Sequence, residues 1–345
     1  MVALRFVGTI DLLPYCLLSL KLLKVVKKRL LNFLLKYNLL YKHQYGFRPK
    51  SGLANTIFGL VNDIQTALDS GRISAGVFLD ISKAFDTVDH NILLEKLQKY
   101  GIRGIPLQWF SSYLSERTQF VSVGDFDSRL LPVTHGVPQG SVSGPILFSL
   151  FVNDFGKLPL NGKAILYADD TNIFYQGASS DLISDKIQED LLCIQEWFLN
   201  NRLVLNADKC SMMWFSKPGH TVNVTFLPML NGKKLEVINQ SKFLGVTLES
   251  HLGWSAHINK TIAKVIPFIK VFARCQHLLS DNDKRTLYFS LIHPHVSFLC
   301  NVWGIVLPNT WKDSPLFINE FLKHYLISPC KLALLNSSSL SQYCR

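Results

Sequence analysis

The sequence lacks the marks of a disulfide framework or a zinc module. Its seven cysteines (Cys16, Cys193, Cys210, Cys275, Cys300, Cys330, Cys344) are odd in number and widely scattered. None falls into Cys-x-x-Cys, which excludes a zinc module of that spacing and fits reduced thiols of the cytosol or nucleus. No apolar run is long enough to span a bilayer: Phe6 to Leu20 is greasy, but Asp11 and Pro14 interrupt it. Positive charge follows that run instead of preceding it, the reverse of a secretory signal. Internal repeats and long linkers are absent too, so the lobes of the chain are expected to be continuous. Acid is scarce at both ends. Residues 1–50 carry ten Lys/Arg against Asp11 alone, a net of +9, and 255–345 carry ten against four, a net of +6.

What is present describes a globular protein: 345 residues, 48% hydrophobic and 18% charged. That is enough chain for one large domain or two to three lobes. The overall charge of +11 leaves a net of −4 for residues 51–254. Two basic flanks around an acidic middle suit a polyanion gripped at both ends of a metal-holding centre; charge alone fits a basic protein with solvated lysine faces equally well.

Periodicity organises the rest. Lys21 to Tyr37 reads as an amphipathic helix with a basic outer face, and Ile57 to Leu68 as a second helix. Between them, Gln44-Tyr45-Gly46-Phe47-Arg48-Pro49 reads as a rigid turn presenting a guanidinium. Ala75 to Asp80 reads as a strand buried on both faces and ending in an acid. Ile81 to Asp86 is expected to turn it into a helix running to about Tyr100, with Gly101 as the stop. Pro106 to Leu114 reads as a helix and Gln119 to Val123 as a strand. Gly136-Val137-Pro138-Gln139-Gly140-Ser141-Val142-Ser143-Gly144-Pro145 leaves much bare backbone before an apolar helix from Ile146, a cradle for a nucleotide or an ordinary surface loop. Leu182 to Asn200 is helical. Cys210–Phe215, Val222–Phe226 and Lys242–Leu248 read as strands, with a hairpin at Asn231-Gly232. The helical period returns from His257 to Leu279 and from Lys284 to Leu291, and fades beyond Trp303.

At the centre stands Tyr167-Ala168-Asp169-Asp170, with apolar residues on both sides, as in a strand-turn-strand hairpin with its acids at the bend. Adjacent carboxylates repel one another unless a cation lies between them, and hard oxygen donors favour Mg²⁺. Acidic pairs are also common in solvated turns. A third carboxylate decides between these readings.

In order, the pieces resemble the reverse transcriptases of non-long-terminal-repeat (LINE-type, jockey-like) retrotransposons. Phe78-Leu79-Asp80-x-x-x-Ala84-Phe85-Asp86 resembles the family's first catalytic motif, Gly136 to Pro145 its second, and Tyr167 to Asp170 its third. Leu203–Lys209 and Lys242-Phe243-Leu244-Gly245-Val246 resemble the fourth motif and the primer grip, and Gln44–Arg48 a fingers motif. The likeness runs from about Pro14 to Trp303. It implies an α+β right-hand polymerase, fingers and palm over 1–248, a helical thumb-like region over 249–305 and a divergent tail over 306–345. It further implies RNA-directed DNA synthesis from an RNA template, a DNA primer and deoxynucleoside triphosphates, in the nucleus or cytoplasm, with no membrane partner. Asp80, Asp169 and Asp170 would hold two Mg²⁺ roughly 3.5–4 Å apart, which Mn²⁺ can replace. Phe85 would lie under the incoming sugar and exclude a ribose 2′-hydroxyl, and Gln139 would touch the nucleotide. Lys209 would protonate pyrophosphate, and Arg48 would support the template or fingers. His293-Pro294-His295 has no matching role.

The sequence also departs from the pattern. Leu13-Pro14-Tyr15 stands where family members carry Arg-Pro-Ile, so the arginine that helps bind the triphosphate is Leu13 here. The resemblance also implies an upstream fingers segment with its lysine, which these residues do not include, and an endonuclease domain expected elsewhere and absent here. The expectation is therefore a piece or decaying copy of a retroelement polymerase; the alternatives are a catalytically silent nucleic-acid-binding remnant and a maturase-like RNA-folding cofactor.

Overall fold

Six of the seven residues of Ile73–Leu79 are buried, as the middle strand of a covered sheet requires. The computed structural model describes residues 3–7, 13–48, 52–115, 117–138, 140–220 and 222–303, and of residues 3–7, 13–20 and 276 the backbone alone. The chain divides into two compact units, one holding the residues up to Gly245 with Ser250–Leu252, the other Val246–Glu249 and the described residues from Gly253 onward.

In the first unit, β1 (Ala3–Val7), α1 (Leu13–Lys36) and α2 (Leu53–Asp69) precede β2 (Ile73–Leu79). Next come α3 (His90–Lys99), α4 (Ile105–Leu114), β3 (Thr118–Val123), β4 (Phe126–Asp127) and β5 (Leu131–Pro132). Helix α5 (Gly144–Phe151) leads to β6 (Lys163–Tyr167), β7 (Asp170–Gly177) and α6 (Ser180–Asn200). The unit closes with β8 (Ser211–Phe215), β9 (Met229–Leu230), β10 (Lys233–Lys234), β11 (Glu236–Val237) and β12 (Gln240–Phe243). The main sheet has the order β11-β8-β2-β7-β6, antiparallel except for the β11–β8 pair. A smaller sheet pairs β1, β4 and β5 with β3. The core runs through Val77 and Leu79 on β2, Leu93 and Leu97 on α3, Phe148 and Phe151 on α5, and Ile187 and Leu191 on α6. Each such side chain stabilises the fold by roughly 1.5–3 kcal/mol on burial.

One cation is built into this core. Lys96 on α3 is 6% exposed. Its Nζ donates to the Phe151 carbonyl at 2.6 Å and to Asp154 at 2.7 Å, and it lies over the rings of Phe151 and Trp197. Burial pushes its pKa below the usual lysine range against the pull of Asp154.

Several elements differ from what periodicity indicates. The helix after β2 starts at His90, because Asp89 caps it by accepting the N–H groups of Asn91 and Ile92, while Ser82–Asp86 is a turn in which Lys83 has φ 48°. The described residues of Val222–Phe226 form no strand: Thr225 bonds Asp181 through its N–H and hydroxyl, and the Asn223 carbonyl accepts from Ser180. Their polar groups serve the start of α6 instead of a ladder. The strand expected over Lys242–Leu248 is broken at Leu244-Gly245, both with positive φ. The hairpin at Asn231-Gly232 is present between β9 and β10.

The second unit contains β13 (Val246–Glu249), α7 (Ser255–Cys275) and α8 (Asp281–Leu287), the last started by a reciprocal Ser280–Asp283 capping box. Val265, Ile269, Phe272 and Ile292 form its core. His257 is buried and its Nδ1 accepts the Thr247 N–H at 3.3 Å; burial, with Lys264 and Lys260 nearby, lowers its pKa. Among the described residues no helix is long and apolar enough to cross a membrane. The tail expected from residue 306 lies outside the described residues.

Candidate active site

Register places the acids. Leu79 on β2 pairs with Thr171 on β7, and Tyr167 on β6 pairs with Asp170. Asp80 and Asp170 therefore sit at the same end of neighbouring strands, and Asp169 lies in the bend between β6 and β7. Ala168 takes φ 57° to make that bend. The hairpin read from the sequence is thus the one observed. Asp169 and Asp170 are exposed and Asp80 is partly so.

Their charges are coupled. Burial first, then the charges of Asp169 and Asp80, push the Asp170 carboxyl above the usual carboxylate range, and Lys242 opposes the shift. Asp170 remains open to solvent overall, so its desolvation is partial. Among the described residues no three His, Cys, Asp or Glu side chains are gathered closely enough to hold a metal ion. This donor set of coupled, solvent-facing carboxylates has the chemistry a hard divalent cation would complete.

The segment before β8 is laced to the end of β2. Ser82 N–H donates to the Val204 carbonyl at 2.9 Å, and Asn206 N–H to the Asp80 carbonyl at 2.9 Å. Asp80 N–H donates to Cys210 Sγ at 3.4 Å, and burial pushes that thiol's pKa up. This lacing brings Lys209 to the acids: its Nζ is 3.9 Å from Asp80 Oδ2, between two solvent-open groups whose pairing contributes little stability.

Phe85 sits in the turn after Asp80. It is half-buried, stacked on Phe148 with centroids 4.5 Å apart and edge-on to Phe47 at 6.4 Å. Its carbonyl accepts the Val137 N–H at 2.8 Å, and the Val88 carbonyl accepts the Gly136 N–H at 2.8 Å. Gly136 has φ 87°, and a Cβ there would meet the Asp86 carbonyl oxygen at 2.9 Å, so glycine is required on both counts. The start of the second motif is thereby fixed beside Phe85. Gln139 itself lies outside the described residues.

The stretch before Arg48 supports the hairpin from its outer edge. Leu166 N–H donates to the His43 carbonyl at 3.0 Å and Tyr45 N–H to the Leu166 carbonyl at 2.9 Å. Arg48 is half-buried and one of its guanidinium nitrogens donates to the Tyr41 carbonyl at 3.3 Å. The structure thus brings Asp80, Asp169, Asp170 and Lys209 to one end of the sheet. Phe85 stands in the adjoining turn, and the Gln44–Arg48 stretch lies against β6.

Sequence reading missed two contributors. Lys242 acts on Asp170, and its only sequence signal is membership of the Lys242–Val246 motif. Gly46 backs the bend, which the composition of its turn does not reveal.

The family model for reverse transcriptase (RNA-dependent DNA polymerase) matches residues 15–248. The chain is 32% identical over 303 residues to the RNA-directed DNA polymerase from mobile element jockey of Drosophila melanogaster, covering 82% of this chain and 32% of that protein. It is 27% identical over 326 residues to the probable RNA-directed DNA polymerase from transposon X-element of the same fly, covering 91% and 35%. The chain spans about a third of the length of these relatives. Among solved structures, apo telomerase from Candida tropicalis matches with a TM-score of 0.51 at 10% identity, over 92% of this chain and 60% of that one, a likeness of fold.

Proposed function

Because this chain belongs to the reverse transcriptase (RNA-dependent DNA polymerase) family, we propose that it is the polymerase part of a LINE-type retrotransposon enzyme. It adds deoxynucleotides to the 3′-hydroxyl of a DNA primer on an RNA template. The observation that carries this reading is the register that sets Asp80 and Asp170 at one end of adjacent strands, with Asp169 in the bend. In this reading the main sheet and its helices are the palm, the elements N-terminal to β2 with the smaller sheet belong to the fingers, and α7 and α8 belong to the thumb. Boundaries near 248 and 305 remain part of the same proposal, as does residence in the nucleus or cytoplasm.

Asp80, Asp169 and Asp170 would hold divalent cations, Mg²⁺ with Mn²⁺ as a substitute, and such ions supply charge neutralisation for the triphosphate and acidify the primer hydroxyl. The chain's own groups do the rest. Phe85, backed by Phe148, presents a ring edge that is too large for a ribose 2′-hydroxyl beside it. Lys209 stands near Asp80 with a proton to give to the leaving pyrophosphate. Gln139 would contact the nucleotide, and Arg48 would brace the template side from a turn already bonded to Tyr41. The silent-remnant reading is not favoured, because every carboxylate of the site is retained.

Primer extension on an RNA template tests this. Extension by the chain, or by its Leu13→Arg variant, that is lost in Asp169→Asn supports the proposal. Failure of both, with metal and primer–template still bound, rejects it.

A further inference from the structure

One buried carboxylate outside the acidic centre joins its two flanks. Asp89 is 3% exposed. Its Oδ1 accepts the N–H groups of Asn91 (2.9 Å) and Ile92 (3.1 Å), and its Oδ2 accepts from Arg202 Nη1 at 2.7 Å. His135 Nε2 stands 3.8 Å from the same oxygen, and the Asp89 and His135 backbones form an antiparallel bridge. Next to it, His90 Nε2 is 2.7 Å from the Gly136 carbonyl, so that nitrogen carries the proton it donates. Burial opposes the charge on Asp89, but the Ile92 N–H, the Arg202 guanidinium and the Asn91 N–H together hold its carboxyl below the usual range.

The two flanks have different duties. On one side, Phe85–His90 and His135–Val137 run as a short ladder, closed by Val137 N–H to Phe85 and Gly136 N–H to Val88. On the other, Arg202 follows α6 with φ 55° and heads the stretch whose bonds to Asp80 and Ser82 deliver Lys209. Capping α3 alone needs only Oδ1. Oδ2 is spent on the guanidinium of a residue 113 positions away, and a capping role does not account for that.

We propose that Asp89 is a positioning residue which, through Arg202 and with His90, fixes the Gly136–Pro138 backbone beside Phe85 relative to the Asp80–Lys209 side, and so sets the affinity for nucleoside triphosphate. This rests on the reading of that cleft as nucleotide-facing. Losing the clamp lets the two flanks shift separately, and displacement of a binding group by about 1 Å is costly.

The test uses the full chain with Asp89→Asn, Arg202→Gln, their double variant, His90→Gln and His90→Ala. Hydrogen exchange at Gly136 and Val137, affinity for a fluorescent deoxyadenosine triphosphate analogue with Mg²⁺, and primer–template affinity are measured for each folded protein. Asp89→Asn and Arg202→Gln should each speed exchange and weaken nucleotide binding by about tenfold, with primer–template affinity kept. The double variant should be no worse than either single one. His90→Gln, whose amide can still donate to Gly136, should keep the affinity that His90→Ala loses. Unchanged exchange in Asp89→Asn overturns the clamp. Faster exchange with unchanged nucleotide affinity overturns its role in binding. Parallel loss of nucleotide and primer–template affinity makes Asp89 merely structural and overturns it too. A parent chain that binds no nucleotide while the exchange effect is present defeats the underlying reading, and the affinity role with it.

Discussion

Gly46 packs directly beneath Ala168, so closely that a Cβ on Gly46 would lie 2.3 Å from the Ala168 nitrogen and 3.1 Å from its Cα. Both contacts are to backbone, at the bend that carries Asp169. No rotamer change can relieve them, so Gly46→Ala has to push the bend outward. Overpacking of this kind costs about 1–3 kcal/mol. A lower urea midpoint together with weaker Mn²⁺ binding is expected. Normal metal binding in a destabilised variant would mean that the bend does not govern the acids.

The coupled acids predict a pH effect of definite sign. The Asp170 carboxyl is raised, by burial first and then by Asp169 and Asp80. The folded chain therefore holds more protons than the unfolded one between the ordinary and the raised value, and stability falls as pH rises through that window. Asp170→Asn should raise the urea midpoint at neutral pH in metal-free buffer and change it little well below the ordinary carboxylate range. Because Asp170 is open to solvent, the gain is small. Mg²⁺ should stabilise the parent and not the variant. Asp169→Asn should weaken Mn²⁺ binding markedly, since it removes a charged ligand; equal affinity in mutant and parent would remove Asp169 from the site.

How much of this was legible in the chain follows from where the signal lies. The β6–β7 hairpin announced itself through apolar runs on both sides of two acids, and β2 through a run with no polar face. The separation of Asp80 from Asp170 by ninety positions closes only through strand register, which no local pattern specifies. Local chemistry misled where side chains take over backbone bonding: Asp89 caps α3 and delays its start, and Asp181 with Ser180 claims the 222–226 stretch. Strand β1 is held by its pairing with β3, more than a hundred positions away, which no local pattern specifies. The support from Gly46 and the charge of Lys242 belong to contacts across the fold and left no spacing to read.

Lys96 offers a stability test away from the site. Its ammonium bonds the Phe151 carbonyl and Asp154 inside the core. Lys96→Ala leaves a cavity, an unpartnered carbonyl and a lone Asp154, whose side chain is 33% exposed. A loss of about 2–4 kcal/mol in urea denaturation is expected, below the upper range for a fully buried pair because Asp154 can hydrate. A change under about 0.5 kcal/mol, ordinary for surface sites, would show that Lys96 is not structural.

Phe85→Val separates a discriminating ring from a packing one. The ring stacks on Phe148 but keeps part of its surface open. Truncation should admit ribonucleotides much more readily in Mn²⁺-supported extension, at a modest cost in stability. A variant that is destabilised yet rejects ribonucleotides as strongly as the parent would leave Phe85 as core alone.

The last prediction concerns Leu13, the first residue of α1. The transition state of phosphoryl transfer needs the triphosphate's charge clamped by side-chain donors as well as by metal. Leucine offers no donor where the resemblance places an arginine. Losing one such donor typically costs about 10²–10³ in rate, so synthesis by this chain should be slowed by about that much. Leu13→Arg should recover part of the activity. In the proposed function primer–template affinity should hardly change, since the many Lys and Arg of both basic flanks would supply it, and it should fall with salt in parent and variant alike. Robust extension by the unmodified chain would show that another cation already supplies the clamp. Recovery accompanied by much tighter primer–template binding would place the new arginine on the nucleic-acid backbone instead of on the nucleotide.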